Sequence, residues 1–171
     1  PVDELSVSLW FKTNDTGRVQ YIFGNETSGT NDGFSIHLRE RGCLWFQMVD
    51  NVTGKQYTES VEEYNDGSWH HLIATWSSLD GLGKVYVDGD EISYFDDNQL
   101  TVTDYRTSPI NYVIGTKMDN NNNWFKGEID EVKLFHTSFD ENEIDQLFNN
   151  NFNSDPIADY KFNEGQGDVL Y

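Results

Sequence analysis

Three short motifs in a fixed order constrain the fold of this chain more than any other feature. The first runs GSWHHL at 67–72 and continues to Trp76, and the second runs GKVYVDG at 83–89. The third runs FKGEIDEVKLF at 125–135 and is followed by an acidic stretch at 140–148. Alternating apolar residues bounded by glycine are typical of hairpin strands. The order therefore predicts two hairpin strands, and later a strand that leads into a short helix.

The dominant hydrophobic period along the chain is two, as expected for half-buried strands. In the first predicted strand, the apolar residues Leu5, Val7, Leu9 and Phe11 alternate with Ser6, Ser8, Trp10 and Lys12. Further strands are predicted at 19–23, 33–38, 43–49, 56–61, 69–76, 84–87, 91–95, 111–114, 125–135 and 157–162. Asp-Gly pairs at 32–33, 66–67, 80–81 and 88–89 supply the positive φ that tight turns require. Many short strands separated in this way predict an all-β antiparallel sandwich or jelly roll.

One segment departs from this pattern and predicts a single short helix near the C-terminus. Ser138 or Asp140 can cap it, and Ile144, Leu147 and Phe148 form an apolar stripe. Acidic residues fill its first turn, where the helix dipole favours them. We expect this helix to pack on the sheets and to have a structural role.

Together, the three motifs resemble the laminin G-like and pentraxin-like domains of the concanavalin A-type jelly roll. The resemblance implies one jelly-roll domain over residues 1–171, in a fold that mostly binds ligands. It also implies a module of a larger secreted or cell-surface protein. The segment at 157–167 resembles the opening strand of such a module, which leaves two alternatives. Either it completes this domain, or it starts the next one.

Composition narrows the possible partners. The chain has 171 residues and a formal net charge of -19. A field of that sign disfavours nucleic acid and anionic membranes and favours cations, calcium above all. No segment reaches the roughly 20 apolar residues that a membrane-spanning helix needs. We also expect no signal peptide in this sequence. We therefore expect no nucleic-acid partner and no membrane insertion.

An enzymatic function is disfavoured by one position. Laminarinase-type glycoside hydrolases, which share this fold, carry Glu-x-Asp-x-Glu on one strand, so that three carboxylates lie on one face. Here Glu128 and Asp130 match that pattern, but Val132 stands at the third position. The sequence predicts a non-catalytic module, and an atypical glycoside hydrolase is the weakest alternative.

Calcium is the cofactor that the resemblance implies. Pentraxins hold calcium with an Asp-Asn pair before an early strand and with an acidic loop after a later one. The similar segments are Asn31-Asp32 and the loop that contains Asp119-Asn120. Lys117 stands where pentraxins have a glutamate, so only one calcium is expected. Asp130, which follows Gly127 on a strand, is a further candidate metal ligand. The alternative for all of these residues is an ordinary turn or strand-end role.

Tryptophans suggest where a ligand binds. Trp124 follows the polar run Asn121, Asn122 and Asn123, which predicts an exposed sugar-binding edge. The other four, Trp10, Trp45, Trp69 and Trp76, lie in alternating strands and are interpreted as core. The leading hypothesis is a calcium-assisted, lectin-like module that binds a glycan or cell-surface glycoconjugate. The alternative is an adhesion or spacer domain that contacts protein.

Overall fold

The computed structural model describes residues 3–26, 32–108, 111–117 and 123–162. Within them the strands are β1 (Glu4–Lys12), β2 (Gln20–Gly24), β3 (Phe34–Leu38), β4 (Cys43–Asp50), β5 (Gly54–Glu63), β6 (Trp69–Ser77), β7 (Leu82–Val87), β8 (Asp90–Glu91), β9 (Leu100–Thr101), β10 (Val113–Ile114), β11 (Glu128–Phe135) and β12 (Ala158–Tyr160). One α-helix, α1 (Glu141–Phe148), lies between β11 and β12. The predicted all-β class with one short C-terminal helix is confirmed.

Two antiparallel sheets form the sandwich. The seven-stranded sheet has the order β12-β11-β1-β6-β7-β8, with β9 also paired to β7. The five-stranded sheet has the order β10-β2-β3-β4-β5. The predicted strand at 91–95 is shorter than expected, because a 3-10 turn at Phe95–Asp97 follows β8.

The main core lies between the two sheets and follows from the period-two pattern. In β1, Leu5, Val7, Leu9 and Phe11 are all buried between the sheets. The interpretation of four tryptophans as core is correct for Trp76 and wrong for the other three. Trp10, Trp45 and Trp69 lie outside the core cluster on the outer faces, because they occupy the opposite parity of their strands.

Helix α1 covers part of the outer face of the seven-stranded sheet. Asp140 caps it through a reciprocal pair of hydrogen bonds with Glu143. Its buried Ile144 and Leu147 pack with Ile73, Tyr86, Phe135 and Phe139 in a second apolar cluster. Among the described residues no helix covers the five-stranded sheet, although Tyr21 and His37 on its outer face are buried.

The C-terminal segment adds an edge strand to the seven-stranded sheet. Strand β12 pairs antiparallel with β11, from Val132 opposite Tyr160 to Leu134 opposite Ala158. Ala158 packs against the main core, whereas Tyr160 and Phe162 are exposed. Residues 163–171 lie outside the described part of the chain. Whether this segment completes the domain or starts a further one stays a prediction.

Candidate functional site

A row of stacked aromatic rings crosses the outer face of the five-stranded sheet. Tyr21, His37 and Trp45 are cross-strand neighbours on β2, β3 and β4, and Tyr57 follows on β5. Ring centres lie 4.6 Å apart for Tyr21 and His37, 5.8 Å for His37 and Trp45, and 3.9 Å for Trp45 and Tyr57. Adjacent ring planes are tilted by no more than 22°. We call these four residues the aromatic row.

The alternation of the strands explains why the row faces outward. In β4, Leu44, Phe46 and Met48 enter the core, so Trp45 and Gln47 must face the other way. In β3, Phe34, Ile36 and Leu38 do the same, which leaves Ser35 and His37 outside. The row therefore depends on the antiparallel register that places these outward residues opposite one another.

Two cationic side chains lie against the rings. The Lys117 ammonium is 5.2 Å from the centre of the Tyr21 ring, and the Arg39 guanidinium is 4.6 Å from Trp45. Both distances fall within the range of cation–π attraction. The row is therefore electropositive at two of its four rings, although the chain as a whole is strongly acidic.

A buried carboxylate organises the Tyr21 end of the row. The side chain of Glu26 is only 1% exposed, and its Oε1 accepts from Lys55 and lies 3.4 Å from Lys117 Nζ. The hydroxyls of Ser35 and Tyr21 donate to Oε2 at 3.0 and 3.4 Å. Burial alone would raise the pKa of Glu26, but the two lysines and Ser35 outweigh it and lower the pKa below its ordinary value. Glu26 is therefore ionised, and it is shared between two ammonium groups.

Three polar atoms on this face lack a hydrogen-bond partner among the described residues. They are His37 Nδ1, Trp45 Nε1 and Gln47 Nε2, and each is shielded from water. Burial lowers the pKa of His37 to about 3, and nearby Glu26 opposes this only in part, so the ring is neutral. A buried polar atom without a partner costs about 1–3 kcal/mol and calls for an explanation. A bound ligand that supplies acceptors is one such explanation.

The predicted sugar-binding residue Trp124 lies at the end of this row. A bridge pairs it with Tyr21, and the Tyr21 backbone N–H donates to the carbonyl of Asn123 at 3.0 Å. Cross-strand partners share a face, and Trp124 is 55% exposed. The structure thus places Trp124 and Asn123 beside the aromatic row. Asn121 and Asn122 lie outside the described residues.

The predicted metal ligands are only partly described. Asp32 is buried directly before β3, whereas Asp130 lies on β11 of the other sheet. Asn31, Asp119 and Asn120 lie outside the described residues. In residues 3–26, 32–108, 111–117 and 123–162, no group of three or more His, Cys, Asp or Glu side chains could hold a metal ion. The calcium site stays a prediction.

The carboxylates of β11 are arranged differently from a laminarinase-type set. A bulge opposite Ser8 and Trp10 places Glu131 at a positive φ of 47°. Asp130 Oδ1 accepts from the backbone N–H of Glu131 at 2.7 Å, and Glu128 forms an ion pair with Lys12 at 3.0 Å. Asp130, Glu131, Trp10 and Trp69 line a shallow cavity of about 310 Å³. With Val132 buried in the core, the third carboxylate of that pattern is missing.

Sequence reasoning missed the aromatic row, although a signal for it was present. Trp45 shares its parity with Gln47, and His37 shares its parity with Ser35, so each ring lies on the polar side of its strand. What the sequence does not give is the pairing of strands, which aligns these positions across four strands. Glu26 and Lys117, which are 91 positions apart, carried no recognisable motif.

Fold and site together define a jelly-roll sandwich with a row of stacked aromatic rings on the outer face of its smaller sheet. The sequence model of a family described as the concanavalin A-like lectin/glucanases superfamily (Laminin_G_3) matches residues 1–145. The chain belongs to this family. No helix in the described part of the chain is long and apolar enough to cross a membrane.

Relatives of the chain include a bacterial mosquitocidal protein and C-reactive proteins. The chain is 24% identical over 170 residues to paraclostridial mosquitocidal protein 1 of Paraclostridium bifermentans, a match that covers 92% of this chain. It is 26% identical over 156 residues to C-reactive protein 3.3 of Limulus polyphemus, a match that covers 85% of this chain. The chain spans 13% of the first protein and 62% of the second.

Solved structures with the same fold include carbohydrate-binding proteins. A putative carbohydrate binding protein from Bacteroides ovatus matches with a TM-score of 0.73 and 16% identity, over 99% of this chain and 48% of that one. The CBM40 module of the Ruminococcus gnavus IT-sialidase, bound to α2,3 sialyllactose, matches with a TM-score of 0.66 and 15% identity, over 85% of this chain and 83% of that one. At these identities the likeness concerns the fold.

Proposed function

We propose that this domain is a non-catalytic glycan-binding module and that the aromatic row is its binding face. The observation that carries the proposal is the stacked row itself, which is exposed at Tyr57 and beside Trp124 and has three shielded polar atoms without partners among the described residues. Carbohydrate hydroxyls donate and accept hydrogen bonds, and their apolar ring faces stack on aromatic side chains. The row offers both kinds of contact on one surface.

The dimensions of the row suit an oligosaccharide. Its four rings span three interstrand spacings, or roughly 14 Å at about 4.8 Å each. Trp124 extends the row by a further strand on the Tyr21 side. The exposed ends are Tyr57, at 41%, and Trp124, at 55%. A glycan that lies along the row would first meet aromatic surface at both ends, because Tyr21 and His37 between them are only 8% and 4% exposed.

Relatives support this proposal in two ways. The sialidase module that shares this fold was solved with sialyllactose bound, and the Bacteroides ovatus protein is described as carbohydrate binding. The resemblance to the C-reactive proteins of Limulus polyphemus is the basis on which we propose an extracellular or cell-surface location for this module.

Calcium assistance forms a second, separable part of the proposal. The segment with Asn31 follows Glu26 in the chain, and the segment with Asp119 and Asn120 follows Lys117. Glu26 and Lys117, the last described residues before these two segments, are in contact at 3.4 Å. We propose a calcium site that uses Asp32 with Asn31, Asp119 and Asn120, because calcium prefers six to eight oxygen ligands.

Glycan-array screening followed by calorimetry with the best ligand tests the binding face. Tyr57→Ala should weaken binding at least tenfold, because it removes the exposed end of the row. Tyr160→Ala is the matched control, since Tyr160 is 50% exposed but lies on β12 of the other sheet. Equal effects of the two variants would contradict the assignment of the face. Absence of any glycan ligand would favour the adhesion or spacer alternative.

A further inference from the structure

We infer that the aromatic row selects acidic glycans, those that carry a carboxylate, over their neutral counterparts. This inference rests on the proposed function, because it names the class of glycan that the same face would bind. Three features of the face support it. They are an uncompensated positive charge, a set of unpartnered donors, and a contrast with the acidic remainder of the chain.

The uncompensated charge arises because one carboxylate serves two ammonium groups. Glu26 pairs with both Lys55 and Lys117, and the side chains of Glu26 and Lys117 are only 1% and 9% exposed. Among the described residues of this group, two positive charges and one negative charge leave a surplus of one. In a partly buried setting such a surplus is poorly solvated. A ligand carboxylate near Lys55, whose side chain is 40% exposed, would neutralise it.

The wider face is less acidic than the rest of the chain. The described charges around the row are Arg39, Arg41, Lys55 and Lys117 against Glu26, Glu40, Glu59 and Glu63, so cations and carboxylates are equal in number. The whole chain has 30 acidic and only 11 basic residues. An acidic ligand is therefore repelled less at this face than elsewhere on the surface.

The unpartnered groups that are defined donors call for acceptors. Trp45 Nε1–H can only donate, and Gln47 Nε2 is the donor end of its amide. Carboxylate oxygens are stronger acceptors than sugar hydroxyls, because hydrogen bonds to a charged group are shorter and about twice as strong. Arg39 lies over the Trp45 ring, and its side chain is 38% exposed. It can turn from the indole toward a bound carboxylate.

Calorimetry with matched ligands tests the inference. Sialyllactose is compared with lactose, and a glucuronate-terminated disaccharide with its glucose-terminated counterpart, all in the presence of a chelator. The chelator removes calcium, which could otherwise bridge to the carboxylate. We expect at least one of the two acidic ligands to bind more tightly than its neutral partner, by about tenfold or more. If the acidic ligand is preferred in both pairs, the carboxylate is the group that is recognised. If it is preferred in only one pair, the sugar that carries the carboxylate is also recognised.

Substitutions locate the source of the preference. Lys55→Gln leaves a balanced Glu26–Lys117 pair, so the protein keeps its fold while the surplus charge disappears. We expect this variant to reduce the acidic-to-neutral affinity ratio at least about threefold, and Arg39→Gln to do the same. Lys12→Gln changes the total charge equally on the outer face of the other sheet. It should leave the ratio unchanged.

The possible outcomes separate this inference from the proposed function. Equal affinity for acidic and neutral ligands would overturn the acidic preference and leave glycan binding intact. A preference that disappears in chelator, or that survives both Lys55→Gln and Arg39→Gln, would also overturn the inference, because the charge would then come from elsewhere. No measurable binding of any glycan on the array would overturn the proposed function itself.

Discussion

Replacement of Glu26 by glutamine tests the electrostatic organisation of the candidate site most directly. Glutamine keeps the size of the side chain and an oxygen that can accept from Ser35 and Tyr21, but it removes the negative charge. Lys117, at 9% side-chain exposure, then has no anionic partner in the described part of the chain, whereas Lys55 can turn toward water. The destabilisation should therefore come mainly from the single ammonium group of Lys117.

The expected magnitude follows from the burial of that pair. Removing one partner of a buried ion pair costs about 3–5 kcal/mol, because the other charge stays buried without compensation. Since the amide of glutamine keeps some hydrogen bonds, we expect the lower end, about 3 kcal/mol. A domain of this size loses about 2–4 °C in Tm per kcal/mol, so the melting temperature should fall by about 6–12 °C.

Urea denaturation at several pH values provides the assay. The folded-state pKa of Glu26 lies below its ordinary value of 4.5. Its stabilisation is therefore fully present above pH 4.5 and is lost as the pH falls through the folded-state value. The difference between the wild type and Glu26→Gln should be largest near neutral pH and should shrink in acid.

Two further variants make this test decisive. Glu128→Gln is the matched control, because Glu128 pairs with Lys12 while its side chain is 62% exposed, and exposed pairs contribute about 1 kcal/mol or less. Adding Lys117→Met to Glu26→Gln removes the buried charge and should restore at least about 1 kcal/mol. A Glu26→Gln variant that is no less stable than Glu128→Gln at pH 7 would refute the reasoning.

Three other expectations can be measured with the same methods. Burial lowers the pKa of His37 to about 3 from 6.5, so the folded state resists protonation. The stabilisation from the neutral His37 ring should be complete above about pH 6.5 and decline as the pH falls toward 3. In His37→Gln the slope of the free energy of unfolding against pH should be smaller in this range by up to about 1.4 kcal/mol per pH unit. An unchanged slope would contradict this expectation. Deletion of residues 154–171 should lower the Tm by a few degrees, because it uncovers the edge of β11, and an unchanged melting curve would assign the segment to another module. Calcium should raise the free energy of unfolding by about 2.7 kcal/mol at a hundredfold excess over its Kd. If the Asp32→Ala, Asp119→Ala double variant is still stabilised by calcium, the proposed calcium site is excluded.

Local sequence determined the class of fold. The alternation in β1 and the Asp-Gly turns require no knowledge of distant residues, because side-chain parity and turn geometry are set within a few positions. The helix was predictable for the same reason, since Asp140 and Glu143 form a capping box three residues apart. Trp124 was singled out by its polar neighbours in sequence, and it lies beside the aromatic row.

Only the tertiary structure decided where the aromatic row, our proposed binding face, lies. Taken alone, Trp45 is predicted to be a core residue, because a large aromatic side chain in a strand is usually buried. Its exposure to the outer face becomes informative once β2, β3, β4 and β5 are aligned, because the register stacks Tyr21, His37, Trp45 and Tyr57 in one row. Glu26 and Lys117 meet across 91 positions. No local pattern encodes such a contact, because it arises from the packing order of the strands and not from the residues between them.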